Sequence, residues 1–254
     1  MAERPLRLAV LIDADNASPK IVDGLFEEIA KLGEATVRRI YGDFSSPRSK
    51  GWADVLARHA IVPQQQFAYT TGKNASDITL VIDAMDLLHG GRLDGFCLVS
   101  SDSDFTRLAS RLAEDGVTVF GFGAQKTPES FRRACKRFIY TENLVPAPAG
   151  ASTTTEALEP IDRAKAMIES VLSEIDSDAD GGWVGLGVLG QQISARAPDF
   201  DSRTYGHKKL SDLMRAVGSV ELKTEGGHLR VRLKPAPAKA PARRRRKGKA
   251  EQAG

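Results

Sequence analysis

The sequence predicts an α/β protein: an open parallel sheet over residues 1–145, a small winged helix-turn-helix unit over 158–233, and a disordered basic tail over 234–254. Three observations carry that division. Short β-branched apolar runs alternate with longer amphipathic segments through residues 6–144, which is the pattern of strands and crossover helices in a parallel sheet. The stretch Pro146–Thr155 is rich in Pro, Ala, Gly and Thr; it cannot bury a core, and it marks a linker over 146–157. Beyond it, three helical periods precede two alternating runs around Glu225-Gly226-Gly227, and three helices followed by a hairpin is a winged helix-turn-helix pattern.

Leu8–Ile12 is the first buried strand. Ser18 then Pro19 supplies an N-cap and a first-turn proline, Val22, Leu25, Phe26 and Ile29 recur at helical spacing, and Gly33 stops the helix. Ala35–Tyr41 reads as a strand, Trp52–His59 as a helix and Ile61–Phe67 as a strand. A helix from Ser76 to His89 is expected to be capped by Ser76 and ended by Gly90-Gly91. Gly95–Val99, Val117–Phe122 and Arg137–Tyr140 are the remaining strands, with helices over Asp104–Glu114 and Pro128–Cys135 between them. In the second unit Ile161–Ile175, Leu186–Ala197 and Tyr205–Val217 are amphipathic helices, and Ser219–Lys223 and His228–Leu233 are the hairpin strands. The linker offers no means of packing the two units rigidly, so the second should act as a separable module.

Hydrophobic residues make up 41% and charged residues 27% of the 254 residues, which excludes wholesale disorder and fibrous repeats. No apolar run approaches the roughly 18–20 residues that cross a bilayer, and Met1–Arg7 lacks the apolar stretch of a signal peptide. A cytoplasmic protein without a membrane partner is expected. Cys97 and Cys135 are the only cysteines, which excludes a disulfide framework and a Cys-rich zinc site and leaves two buried thiols. The net charge of +3 hides an asymmetry: residues 234–254 hold eight Lys and Arg against the single acid Glu251, leaving 28 bases and 32 acids in residues 1–233. A cationic tail on a mildly acidic body points to a polyanion partner.

The acids carry the chemistry. The first strand runs apolar to Ile12 and then presents Asp13-Ala14-Asp15-Asn16; the fourth runs apolar to Val99 and presents Ser100-Ser101-Asp102-Ser103-Asp104. In an open parallel sheet all C-terminal strand ends share the edge where ligands bind, so Asp13, Asp102 and Asp104 should converge. Asp77 joins them from the first turn of the helix before the fourth strand. Carboxylates crowded this way repel one another by several kcal/mol unless a cation intervenes, and hard oxygen donors without Cys or His select magnesium or manganese. Singly, each acid has a structural alternative: Asp15 as an acceptor in its turn, Asp104 as an N-cap, Asp77 at the positive end of a helix. Two clusters on one edge outweigh those alternatives. Asp83 lies roughly 240° around the helix from Asp77, so the two cannot face one ion unaided.

Other chemistries fit less well. A haloacid dehalogenase-type phosphatase also places two acids after its first strand, but expects Thr or Val where Ala17 stands. Gly121-Phe122-Gly123 follows the fifth strand rather than the first, and there is no Walker loop. His59, His89, His207 and His228 show no ligand spacing, and no nucleophile elbow supports a Ser-His-Asp triad.

Five segments in order, Ile12–Asn16, Ile40–Asp43, Gly72–Asp77, Val81–Asp86 and Val99–Phe105, resemble the NYN domain, in particular its LabA-like branch within the PIN-like nuclease superfamily. Residues 158–233 resemble, more weakly, the OST-HTH or LOTUS domain. The resemblance implies a nuclease core with a Mg²⁺- or Mn²⁺-dependent pocket whose catalytic and metal-binding acids map onto Asp13, Asp77, Asp102 and Asp104. Asn16 matches the family's asparagine, and Lys50, Lys73, Asn16 and Ser101 are the candidate substrate-binding residues. The expected activity is hydrolysis of RNA, single-stranded by preference, by a metal-activated water that leaves 5′-phosphate ends. A non-catalytic RNA-binding regulator is the rival. A second copy or a protein partner at the winged-helix unit is a further expectation.

Overall fold

The computed structural model describes residues 4–45, 51–66, 75–145, 158–175 and 181–234. The linker, Lys50, Lys73 and the tail beyond Lys234 lie outside them. The first unit runs β1 (Arg7–Asp13), α1 (Val22–Ile29), β2 (Glu34–Gly42), α2 (Ala53–His59), β3 (Val62–Gln65), α3 (Ala75–His89), β4 (Gly95–Val99), α4 (Thr106–Glu114), β5 (Thr118–Gly123), α5 (Glu129–Ala134) and β6 (Arg137–Tyr140). Its six strands are all parallel, in the order β3-β2-β1-β4-β5-β6. The chain winds outward from β1 to β3, then crosses back through α3 to β4 on the other side of β1. β1 and β4 therefore flank the switch point, where the crevice of an open α/β sheet forms.

Alternate residues of β1 face opposite layers. Leu8, Val10 and Ile12 pack with Val22, Leu25 and Ile29 of α1, whereas Ala9 and Leu11 pack with Leu80 and Ala84 of α3 and Leu108 and Leu112 of α4. Burial on both faces explains why these strands read as continuous apolar runs rather than alternating ones. Cys97 and Cys135 are free and buried.

Three local expectations are corrected. Asp104 does not cap the helix after β4; Asp102 caps a 3-10 turn over Ser103–Phe105 that leads into α4, its carboxylate accepting from Asp104 N at 2.9 Å. Ser76 lies within the first turn of α3 rather than before it. The segment Tyr205–Val217 is not one helix, because Gly206 adopts φ +81° after a 3-10 turn over Ser202–Tyr205 and Lys209 is extended before the next helix begins.

The second unit comprises α6 (Ile161–Glu174), β7 (Val184–Gly185), α7 (Leu186–Arg196), α8 (Leu210–Val217), β8 (Val220–Glu225) and β9 (His228–Leu233). The hairpin β8–β9 gains a third strand, the two-residue β7, which pairs antiparallel with β9. Ala164, Ile168 and Val171 of α6, Leu189 and Ile193 of α7, and Leu213 and Met214 of α8 form its own core.

The two units are docked, contrary to the expectation of an independent module. Among the described residues, the contact comes from the loop between α7 and α8. Phe138 N, on the edge strand β6, donates to Pro198 O at 2.8 Å, and Asn143 Nδ2 donates to Thr204 Oγ1 at 3.1 Å. Asp199 accepts from Tyr140 Oη at 2.7 Å and pairs with Arg132. Arg203 reaches Glu28 at 3.0 Å.

Candidate carboxylate pocket

Asp13 is the last residue of β1 and is buried. Its Oδ1 accepts from the backbone N–H groups of Asp15 at 3.0 Å and Asn16 at 3.3 Å; its Oδ2 accepts from Asn16 Nδ2 at 2.8 Å and Ser100 Oγ at 2.7 Å. Burial pushes the Asp13 carboxyl above its ordinary range, against the pull of these hydrogen bonds.

Ser100 joins the two turns. While donating to Asp13 it accepts from Asp102 N at 3.0 Å. The turns are also pinned to their neighbours: Ala14 N donates to Tyr41 O and Ser100 N to Phe122 O, both at 2.9 Å. Two glycines make room for this. A Cβ on Gly42 would stand 2.8 Å from Ala14 Cβ, and one on Gly123 would stand 2.5 Å from Ser100 O. The glycine-phenylalanine-glycine run of β5 thus serves close packing beside the pocket.

Asp77, in the first turn of α3, senses the whole group. Its pKa is pushed up to about 6, first by burial and then by the negative charges of Asp13, Asp102, Asp15 and Asp104. Carboxylates from β1, α3 and the turn after β4 therefore share one field, as strand order and edge require. Asp15 is exposed and accepts from Ser76 Oγ at 3.2 Å. Sequence reasoning set Asp15 aside as a turn acceptor, yet it is Asp13 that takes the turn's backbone bonds. It also missed Ser100; the usable signal was a hydroxyl placed directly after a buried strand, beside an acid-bearing edge. Ser101 Oγ accepts from Ala124 N at 2.8 Å, tying its turn to the end of β5. Asp83 is elsewhere, bound to Arg39 and Tyr41.

The donor set suits a hard divalent cation: carboxylates with no Cys or His among them, and an acid whose pKa is raised by burial and then by the charges of the other carboxylates. Among the described residues, no three His, Cys, Asp or Glu side chains are placed to hold an ion together. The fit is one of donor chemistry.

Residues 7–143 match the NYN domain family and residues 159–231 match the OST-HTH/LOTUS domain. No curated protein matches the chain. Similar solved structures include the crystal structure of a protein of unknown function from Vibrio parahaemolyticus RIMD 2210633, 16% identical, with TM-score 0.47, covering 55% of this chain and 95% of that one. Another is the solution structure of an uncharacterized protein from Nitrosomonas europaea, 29% identical, with TM-score 0.28, covering 36% and 90% respectively.

Proposed function

This chain belongs to the NYN domain family, and on that premise we propose that it hydrolyses phosphodiester bonds of RNA at the carboxylate pocket with Mg²⁺ or Mn²⁺. The NYN domain is a PIN-like, nuclease-type fold, and OST-HTH/LOTUS domains bind RNA. The observation that carries the reading is the placement of Asp77, whose carboxyl is pushed up first by burial and then by the negative charges of Asp13, Asp102, Asp15 and Asp104.

Asp13, Asp77, Asp102 and Asp104 are the residues assigned to hold the cation. Bound there, it would polarise the phosphate, lower the pKa of an attacking water and stabilise the developing charge. Asp13 supplies fixed negative charge, held in place by Asn16 and Ser100. Asn16, Lys50, Lys73 and Ser101 are assigned to the RNA strand, the lysines through its phosphates. Asp15 joins the acids as an outer carboxylate. The basic tail adds sequence-independent affinity for single-stranded RNA. No helix among the described residues is long and apolar enough to cross a membrane.

A second reading, RNA binding without cleavage, is favoured by one observation: both oxygens of Asp13 already carry two hydrogen bonds. Mapping product ends separates the two. Incubation of a labelled single-stranded RNA with Mn²⁺ should give fragments with 5′-phosphates. Cyclic phosphate ends, which mark attack by the 2′-hydroxyl, or no fragments at all, would overturn the reading.

A further inference from the structure

The cleft between the two units has the opposite chemistry from the carboxylate pocket. It encloses about 350 Å³ and takes Lys31 and Arg137 from the first unit and Arg203, Lys208 and Lys209 from the second. Two acids partly neutralise this group. Glu28 receives Lys31 at 3.0 Å, Arg203 at 3.0 Å and Arg137 at 3.4 Å, and Asp201 receives Arg203 at 2.6 Å. Burial alone would raise the pKa of Glu28, but these three cations hold it below its usual range. Lys208 and Lys209 are exposed at the cleft, and among the described residues neither has an ion-pair partner. The hydroxyls of Ser194 and Ser202 line the same walls.

The cleft is also displaced from the pocket. Lys31 follows the end of α1, where Gly33 lies against Leu6, the residue before β1. It thus belongs to the N-terminal edge of the sheet, whereas the carboxylates stand at the C-terminal edge. A ligand that engages both must be long.

We propose that this interdomain cleft binds the phosphate backbone of the RNA, clamping the strand between the two units at a distance from the carboxylate pocket. Partly neutralised arginines fix the walls, and the two unpaired lysines supply the charge that displaces counterions. Docking by the Pro198–Thr204 loop builds the site, since neither unit has the full set of cations. The inference rests on the RNA-binding part of the proposed function and is independent of cleavage.

The test is fluorescence anisotropy of the full chain with a labelled single-stranded RNA of about 20 nucleotides, in EDTA, between about 50 and 200 mM salt. Lys208→Ala/Lys209→Ala should weaken binding about tenfold at the lowest salt and flatten the slope of log affinity against log salt by up to about 1.4, at 0.7 per phosphate contact. Both lysines are exposed, so the fold should survive, as circular dichroism would verify. Arg92→Ala, an exposed cation after α3, should leave affinity and slope nearly unchanged. Wild type that binds RNA while the double variant binds with equal affinity and slope overturns the cleft. Wild type that fails to bind RNA overturns the RNA-binding reading and the cleft together. Competition by polyglutamate as effective as by RNA of equal charge would overturn RNA as the occupant in favour of an acidic protein.

Discussion

Ser100 Oγ donates to Asp13 Oδ2 at 2.7 Å, so the residue after β4 holds the carboxylate that ends β1. The same oxygen accepts from Asp102 N at 3.0 Å. One hydroxyl thereby fixes the spacing between two acid-bearing turns that are 87 residues apart at this bond.

Ser100→Ala should therefore act at two levels. Leaving a buried carboxylate and a backbone N–H each short of a partner costs about 1–3 kcal/mol, readable by urea denaturation at pH 7. The lost bond favoured ionised Asp13, so the Asp13 pKa should rise further and the acid limb of the rate profile should move to higher pH. An unchanged profile would disconnect Ser100 from the pocket.

Asp77 gives a pH dependence of defined sign. Its folded pKa of about 6 lies above the ordinary 3.8, so between those values the folded state binds more protons than the unfolded state. The stability contributed by its protonated form is present below about pH 4 and is lost as pH rises through about 6. Asp77→Asn should thus gain on wild type across that window and hold a constant advantage above it. Solvent screening of this half-exposed group keeps the advantage to about 1 kcal/mol. Metal-free denaturation at pH 4 and pH 7.5 measures it; an equal difference at both values would mean that the acids do not share a field.

Gly123→Ala should disturb the pocket from the neighbouring strand. Its Cβ would meet Ser100 O at 2.5 Å and Thr127 Oγ1 at 2.7 Å, backbone and side chain that must shift, at a cost of about 1–3 kcal/mol. Activity should fall further than stability alone explains, because the shift acts on Ser100. A fully active variant with normal metal dependence would show that the turn tolerates the movement.

Asp199→Ala should loosen the docking of the two units. Arg132 and Tyr140 both bind this carboxylate at a site where Arg132 is 16% and Asp199 20% exposed. Removing one partner of so enclosed a pair is expected to cost about 2 kcal/mol, less than for a fully buried pair. Small-angle scattering should report a larger radius for the variant, and unfolding should split into two transitions. A single transition at the wild-type midpoint would show that the Asp199 contact does not hold the units together.

Much of this was legible because it depends on local pattern and on the rule that parallel strands share an edge. The apolar runs before Asp13 and Ser100 gave the strands, and their order along the chain placed their acids together. What the sequence hid lies in contacts between distant residues. Nothing near Asp102 and Asp104 says which of them caps the turn, because that depends on how Ser100 holds Asp102. Nothing in Pro198–Thr204 announces docking, since Asp199 finds Tyr140 only after both units have folded. The two-residue strand β7 is too short for an alternating pattern. The place of Gly121-Phe122-Gly123 after the fifth strand argues against a ligand loop, but that its glycines serve close packing against Phe138, Cys135 and Ser100 depends on contacts between distant residues.

The central claim is that the carboxylates at the β1–β4 edge drive metal-dependent RNA cleavage, and the most direct measurement is the rate of cleavage by Asp13→Asn/Asp102→Asn beside wild type, with Mn²⁺ or EDTA, at matched RNA occupancy. Wild type should cleave only with the metal, and the double variant should bind RNA comparably while losing at least about a hundredfold in rate. Cleavage by wild type that persists in EDTA, or a double variant as fast as wild type, would contradict it.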